Sequence, residues 1–310
     1  MSGINIFVPN YYKEFKCIAD KCTHSCCIGW EIDIDESSME YYENLKGDAG
    51  KWVIEHISKE ETPHFILGEG DRCPFLKENG LCEMILRIGE NSLCNICADH
   101  PRFRNFYSDF TEMGIGMCCE EAARVILNFK EPFKLVPFEC GAFEIDEDEE
   151  VYLNLRQRIF DILCMEDMSA YEKFEEISNM IDFKFSNFSL EKLCNVYISM
   201  ERLDKVWGEI LERLKSYEFD LNIFKENEFQ KPFQQLACYF IFRHFCDAMW
   251  DGEVVARIKF MLAGVYIIGA ILSMQKASTA EEMVEVARMY SAEVEYSEEN
   301  TDMLLNLLKE

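Results

Sequence analysis

Ten of the fifteen cysteines lie within the first 119 residues, in groups spaced as metal ligands often are. The groups are Cys17-x4-Cys22-x3-Cys26-Cys27, Cys73-Pro-x7-Cys82, Cys94-x2-Cys97 and Cys118-Cys119. Thiolates that are close in sequence can converge on one soft cation when the chain turns sharply between them. The pattern therefore predicts a metal-binding N-terminal region, and any chemistry is expected there.

Two kinds of metal centre fit these thiols. Zinc takes four thiolates, and the Cys94-x2-Cys97 spacing is typical of zinc knuckles and ribbons. Iron–sulfur clusters also take four thiolates, and a cysteine followed by proline, as at Cys73, recurs in ferredoxin-type sequences. Because successive side chains diverge, Cys26 and Cys27 are not both expected to bind one ion.

Other cysteines and the histidines are expected to have ordinary structural roles. Four cysteines lie among apolar neighbours in predicted helices and are expected to be small buried hydrophobes, as is the lone Cys140; the four are Cys164, Cys194, Cys238 and Cys246. His24 and His100 are expected to be surface or hydrogen-bonding residues rather than ligands. The other three histidines look isolated: His56, His64 and His244.

A disulfide framework is the alternative use of so many cysteines, but it belongs to secreted domains. The chain begins Met-Ser-Gly-Ile-Asn without a basic segment, an apolar run and a small-residue cleavage site. We therefore expect a cytoplasmic protein whose folding does not require disulfides.

The charge and the apolar pattern limit the possible partners. The net charge of −27 repels phosphate backbones, so no nucleic-acid partner is expected. The same charge attracts lysine-rich substrates, although many soluble proteins are acidic for solubility alone. The longest apolar stretch, residues 260–274, is short for a bilayer and follows Arg257 and Lys259. It predicts a buried helix, and no membrane partner is expected.

The two halves of the chain differ in composition. Six of the seven prolines precede Cys140, and the acidic run of residues 144–150 is typical of a hinge or a helix start. We predict a cysteine-rich metal-binding domain over residues 1–143 and a helical domain over residues 144–310. The fold class is mainly α, with a loop-rich N-terminal part packed on an all-helical C-terminal part.

Helical periodicity dominates the second half of the chain. Ser189 and Ser297 are predicted N-caps, and Ser278 with Glu281 a capping box. Residues 6–8 and 30–34 are candidates for short strands. The predicted helices cover residues 36–57, 120–129, 149–166, 169–182, 188–216, 232–250, 253–275, 279–290 and 297–309.

Several segments together resemble the flagellin lysine-N-methylases, cysteine-rich bacterial proteins. In the first half they are VPNYYKEFKCIADKCTHSCCIGWEIDID, RCPFLKENGLCEMILRIGENSLCNICADHPR and MCCEEAARVIL. In the second half they are YFIFRHFCDAMWDGEVVARIKF and YSAEVEYSEENTDMLL. The first half is also similar to a broader group of zinc- or iron-chelating domains, so the second half favours the methylase branch.

The resemblance implies methyl transfer from S-adenosylmethionine to lysine ε-amines on flagellin, with a metal centre for which a 4Fe-4S cluster is favoured over zinc. The metal ligands that it implies are Cys17, Cys22, Cys26, Cys27, Cys73, Cys82, Cys97 and Cys119, with Cys94 and Cys118 as weaker candidates. The chain departs from the family pattern at His100-Pro101, where a tyrosine usually precedes the proline, and at Cys118-Cys119-Glu120, where one cysteine and a proline are usual.

The sequence assigns no donor-binding or catalytic residue. Gly114-Ile-Gly116 lacks the strand and acidic residue of a nucleotide-binding motif and is expected to be a tight turn before Cys118. Glu31, Asp33 and Asp35 alternate with isoleucines, as on the solvated face of an edge strand. Besides the methyltransferase, a non-enzymatic metal-binding protein with a helical partner-binding half stays open.

Overall fold

The computed structural model describes residues 5–309. Contacts group them into two compact units. We call Lys16–Arg102 the thiol unit, and residues 5–15 with 103–309 the helical unit. The domain boundary predicted between residues 143 and 144 stays a prediction.

The thiol unit contains four short helices. Asp35 caps the first helix by accepting a hydrogen bond from the backbone N–H of Ser38 at 2.9 Å. The single helix predicted over residues 36–57 is wrong, because the chain turns at Gly47, whose φ of +80° suits glycine, and a second helix follows. The four helices are α1 (Glu36–Asn44), α2 (Asp48–Ile54), α3 (Glu83–Ile88) and α4 (Asn95–Asp99).

Extended segments, paired by backbone hydrogen bonds, connect these helices around a small apolar core. The N–H of Ile34 donates to the carbonyl of Pro63 at 2.8 Å, and the N–H of Phe65 donates to that of Ile32 at 3.1 Å. Residues 30–34 therefore form an isolated bridge rather than the predicted strand, although Ile32 and Ile34 alternate inward as expected. Buried core residues include Ile32, Ile34, Tyr42, Val53, Phe65, Phe75, Cys73 and Cys94.

A four-stranded sheet lies in the helical unit, in the order β2-β3-β1-β4. The first strand, predicted over residues 6–8, pairs in parallel with β3, with Ile6 opposite Thr111, and antiparallel with β4, with Val8 opposite Val136. The strands are β1 (Ile6–Pro9), β2 (Arg102–Phe106), β3 (Thr111–Ile115) and β4 (Leu135–Glu139).

Helices form the rest of this unit, so the mainly α prediction is confirmed. Ser189 and Ser297 cap helices as predicted. The helices are α5 (Glu120–Asn128), α6 (Glu147–Leu163), α7 (Ala170–Asn179), α8 (Leu190–Ser199), α9 (Lys205–Leu214), α10 (Asn227–His244), α11 (Ala248–Asp251), α12 (Val254–Gln275), α13 (Ala280–Tyr290) and α14 (Glu298–Leu308), with a π-helical segment at Ser291–Glu295.

The helix predicted over residues 188–216 is interrupted between α8 and α9. A carboxylate oxygen of Glu293 accepts the N–H of Asp204 at 2.7 Å, and the other accepts that of Leu203 at 3.0 Å. The side chain of Asn300 bonds both the N–H and the carbonyl of Glu201. Distant side chains thus take the backbone groups that a continuous helix would have paired internally.

The apolar stretch of residues 260–274 belongs to α12, the core helix of this unit. By length and composition α12 is able to cross a membrane, but 83% of its most apolar window is buried inside the protein. It packs against α10, α13 and α14. A helix that is hydrophobic all round and covered by neighbouring helices is what a globular core requires.

Two local predictions are corrected. Gly114 lies in β3 rather than in a tight turn, and a Cβ there would collide with the rings of Phe103 and Phe242. The capping box is formed one residue later than predicted, by Thr279 and Glu282.

Candidate functional site

Five thiols of the thiol unit come within electrostatic reach of one another: Cys27, Cys73, Cys82, Cys94 and Cys97. A short backbone ladder brings the first two together. The N–H of Cys73 donates to the carbonyl of Cys27 at 2.9 Å, and that of Gly29 donates to the carbonyl of Asp71 at 2.9 Å. Gly29 has a φ of +83°, so the chain turns there at little conformational cost.

Cys82 reaches the group through a tight hairpin. Leu76 bridges to Cys82, and the N–H of Glu83 donates to the carbonyl of Phe75 at 2.7 Å. The turn is made at Gly80, where φ is +79°. Cys73 and Cys82 are therefore placed by the two arms of one hairpin.

Cys94 and Cys97 lie at the start of α4. Cys94 immediately precedes the helix and Cys97 follows within its first turn, so both thiols share one face. Asp35 ties this start to that of α1, because one carboxylate oxygen accepts the N–H of Asn95 at 3.0 Å while the other accepts that of Ser38.

Backbone N–H groups point at three of these sulfurs. The sulfur of Cys73 accepts from Phe75, that of Cys82 from Met84 and Ile85, and that of Cys94 from Cys97. Such bonds favour the ionised thiol, which is the form that binds metals.

The thiols of this group differ in their pKa values. A hydrogen bond from Cys26 lowers the pKa of Cys27 to about 7, and one from Cys97 lowers the pKa of Cys94 to about 7. Burial, and then the charges of neighbouring thiols, raise the pKa of Cys73 to about 11, although a backbone hydrogen bond from Phe75 lowers it. Burial also raises the pKa of Cys82. The hydrogen bond with Cys94 raises the pKa of Cys97. Part of the group is therefore protonated, and a bound soft cation would favour the ionised form of each thiol that it contacts.

The residue types fit a thiolate-bound metal, since zinc and iron–sulfur clusters each take four thiolates. Among the described residues, however, the ligand atoms that come within 4.8 Å of one another in a group of three are those of Glu31, Asp33 and His64. Cys94, a weaker candidate in the sequence, is buried within the group. Cys73 is also buried, while the other three are partly covered. The arrangement is able to hold a metal with part of its surface reachable from outside.

The other predicted ligands are not among these five thiols. Cys17 is exposed, and the half-buried Cys22 donates to the carbonyl of His24 at 3.2 Å. Cys26 is exposed beside Cys27. Cys118 and Cys119 belong to the helical unit, just before α5. Burial raises the pKa of Cys118 to about 12, against a hydrogen bond from Tyr296 that lowers it.

The acidic residues after Trp30 are partly paired. Glu31, Asp33 and His64 each bring one ligand atom within 4.8 Å of the others, and Nε2 of His64 lies 3.7 Å from Glu31. His64 therefore is not isolated. Burial raises the pKa of Asp35, but hydrogen bonds from Ser37, Ser38 and Asn95 outweigh it and bring the pKa well below its usual range.

A second polar group, missed in the sequence, is buried in the helical unit. The carboxylate of Glu295 is fully buried and lies 2.6 Å from Nε2 of His244 and 3.6 Å from Nε of Arg243. The hydroxyl of Tyr239 donates to it at 3.2 Å, and the guanidinium of Arg243 lies 4.6 Å from the ring centre of Tyr296. His244 is thus not the isolated residue that the sequence indicated.

These residues come from the two C-terminal segments that carry the resemblance described above, on α10 and on the π-helical segment. Gly116 also belongs here, since a Cβ would meet the hydroxyl of Tyr296 and the guanidinium of Arg243. The ionisable residues Arg243, His244 and Glu295 within otherwise apolar segments were the feature of the sequence that could have indicated this buried group. Insertions of π-helix are frequent at functional sites.

The model of the FliB lysine N-methylase C-terminal domain matches residues 103–310, which is more than half of the chain. The chain belongs to the FliB lysine N-methylase family. The matched region begins where the second segment of the helical unit begins, at Phe103. The buried group around Glu295 is therefore part of the FliB domain.

Curated relatives of this FliB-family chain carry related names. It is 22% identical over 224 residues to a lysine-N-methylase of Salmonella choleraesuis (strain SC-B67), an alignment covering 70% of this chain and 55% of the relative. A lysine-N-methylase of Salmonella typhimurium is 21% identical with the same coverage. The flagellar biosynthetic protein FliU of Salmonella muenchen is 24% identical over 135 residues, 41% of this chain and 80% of the relative.

The FliB-family chain thus spans about half the length of the lysine-N-methylases it matches. No solved structure matches it.

Proposed function

We propose that this protein transfers methyl groups from S-adenosylmethionine to lysine ε-amines of flagellin. The observation that carries the proposal is the FliB-domain match over residues 103–310. The names of the relatives, lysine-N-methylase and flagellar biosynthetic protein, support the reaction and the substrate. Such a protein would act in the bacterial cytoplasm, with no nucleic-acid or membrane partner.

The charge of the chain agrees with a cationic substrate. A net charge of −27 attracts lysine-bearing surfaces and raises their rate of encounter. The ε-amine must then lose its proton and approach the methyl carbon in line, in a site that excludes water. A carboxylate that stays ionised when buried, as Glu295 does beside Arg243, orients neighbouring groups in such a site.

The metal centre is proposed in the thiol unit. Four of the five grouped thiols would hold it, with Cys73, Cys82, Cys94 and Cys97 as the principal ligands and Cys27 as the fifth candidate. A 4Fe-4S cluster is favoured, as the sequence resemblance implies, and zinc acting as a closed structural clamp is the alternative. When bound, an iron–sulfur cluster supplies thiolate-held iron able to accept an electron or a ligand.

The protein's own residues prepare this site. Backbone N–H groups of Phe75, Met84 and Cys97 stabilise negative sulfurs, and Asp35 fixes the start of α4. Burial of Cys73 and Cys94 limits the access of water.

The test combines anaerobic metal and sulfide analysis with transfer of a labelled methyl group from S-adenosylmethionine to purified flagellin. About four irons and four sulfides per chain, with transfer that requires them, are the expected results. Zinc without sulfide, together with no transfer, would leave a metal-binding protein with a structural centre.

Two variants distinguish the effect of losing a thiol of the proposed metal centre from that of losing a cysteine elsewhere. Cys82→Ser removes a grouped thiol and is expected to lower both metal content and transfer. Cys140→Ser is the matched control, because Cys140 is exposed and its thiol donates only to the neighbouring carbonyl of Gly141 in the described contacts. Equal metal content in the two variants would exclude Cys82 as a ligand.

A further inference from the structure

Cys164 and Cys238 lie side by side in the helical unit, although 74 residues of sequence separate them. Cys164 ends α6 and Cys238 lies in the middle of α10. Gln234, one turn before Cys238 on the same face of α10, donates to the sulfur of Cys164 at 3.7 Å, so both thiols lie at the contact between the end of α6 and α10. Two thiols at one such contact need only a small movement to reach bonding distance.

The two thiols differ in exposure. Cys164 is half-buried, while Cys238 is fully buried. A more exposed thiol beside a buried one is the arrangement in which the first reacts with an oxidant and the second then resolves the product.

Polar and cationic groups surround the accessible sulfur. The side-chain amide of Gln234 donates to the sulfur of Cys164 at 3.7 Å, and Nζ of the buried Lys173 donates to Oε1 of Gln234 at 3.4 Å. Lys231 contributes a second positive charge nearby. The hydrogen bond from Cys238, and then the two lysines, lower the pKa of Cys164 to about 6.

A purely structural pair of cysteines does not account for these neighbours. Small buried cysteines that fill a core are surrounded by apolar atoms, as the sequence led us to expect here. Burying the charged Lys173 costs free energy unless a negative charge lies nearby, and a thiolate at Cys164 provides that charge.

We propose that Cys164 and Cys238 form an oxidisable thiol pair that reacts with peroxides. The thiolate of Cys164 attacks a peroxide oxygen, the O–O bond breaks, and a proton completes the released water or alcohol. The resulting sulfenic acid of Cys164 is attacked by the thiol of Cys238, which forms the S–S bond and releases water. The two thiols lose two electrons in all, and the peroxide gains them.

The test treats the purified full chain, with its metal, with about one equivalent of hydrogen peroxide. Remaining thiols are then alkylated, and the peptides are mapped by mass spectrometry. The expected product is a peptide pair linked through Cys164 and Cys238, which disappears on reduction. Because each peptide is identified separately, oxidation of the thiol unit does not obscure the result.

Two variants sharpen the test. Cys238→Ser should leave Cys164 trapped as a sulfenic acid that dimedone labels, whereas Cys194→Ser, at a buried cysteine of α8, should leave the linked pair unchanged. If Cys238→Ser does not fold, the presence or absence of the linked peptide pair in the natural chain still tests the proposal. Oxidation of Cys164 no faster than that of Cys194, or a link to any other cysteine, would overturn the proposal.

Discussion

Nε2 of His244 lies 2.6 Å from a carboxylate oxygen of Glu295, which follows it by 51 residues. The pair joins the end of α10 to the π-helical segment, and Arg243 lies against the same carboxylate. Burial lowers the pKa of His244, while Arg243 and His244 keep that of Glu295 below its usual value although burial raises it. The carboxylate is therefore ionised inside the protein.

Glu295→Gln is expected to destabilise the helical unit by about 3 kcal/mol, because it leaves Arg243 buried without its counter-charge. Urea unfolding followed by far-UV circular dichroism measures the change. Glu209→Gln, on the exposed face of α9, is the matched control and should shift the free energy of unfolding by less than about 0.5 kcal/mol. Equal effects of the two variants would contradict a structural role for the buried carboxylate.

The helices that carry this buried group were predictable from the sequence, but the contact between His244 and Glu295 was not. Helical periodicity predicted α10 and α13 because it depends on local spacing alone. The contact between His244 and Glu295 depends on how distant elements pack, which no local pattern encodes. The interruption between α8 and α9 has the same origin, since the side chains of Glu293 and Asn300 compete for its backbone groups.

The cysteine group was only partly predictable for a related reason. Spacing grouped Cys73 with Cys82 and Cys94 with Cys97, because sharp turns at Gly80 and at the start of α4 bring close thiols together. Cys27 joins them through backbone pairing with Cys73, 46 residues later. Spacing did not distinguish Cys27 from Cys17, and only the long-range ladder does so.

Removing the metal is expected to loosen the thiol unit selectively. In small thiolate sites, metal binding contributes on the order of 10 kcal/mol to folding, because the ligands come together only in the folded state. Hydrogen exchange read by mass spectrometry should therefore speed up across Lys16–Arg102 after anaerobic chelation, and stay slow in α12. Unchanged exchange in the thiol unit would mean that its fold does not depend on a metal.

Gly114→Ala is expected to cost about 1–3 kcal/mol, because the added methyl group forces the rings of Phe103 and Phe242 apart. Thermal unfolding compares it with Gly141→Ala, whose added Cβ would meet only Oδ1 of Asn5 at 3.6 Å, an ordinary contact. If both substitutions had the same effect, the packing of Gly114 in β3 would be wrong.

The alkylation rate of Cys164 is expected to follow a pKa of about 6. Because only the thiolate reacts, its rate with iodoacetamide should level off above about pH 7, whereas an ordinary thiol continues to speed up towards pH 8.5. Cys238→Ala removes the hydrogen bond that contributes most and should move the profile to higher pH. An ordinary profile in the natural chain would contradict the predicted ionisation.

The start of α13 is capped by Thr279, one residue after Ser278, which the sequence predicted. Thr279→Ala is expected to cost about 1 kcal/mol, because the hydroxyl of Thr279 accepts the N–H of Glu282 at 3.4 Å and donates to its carboxylate at 2.9 Å. Ser278→Ala should cost much less, since Ser278 bonds Glu282 through its backbone N–H, which alanine keeps. Urea unfolding of both variants measures the difference, and a larger loss at Ser278 would restore the capping box predicted from the sequence.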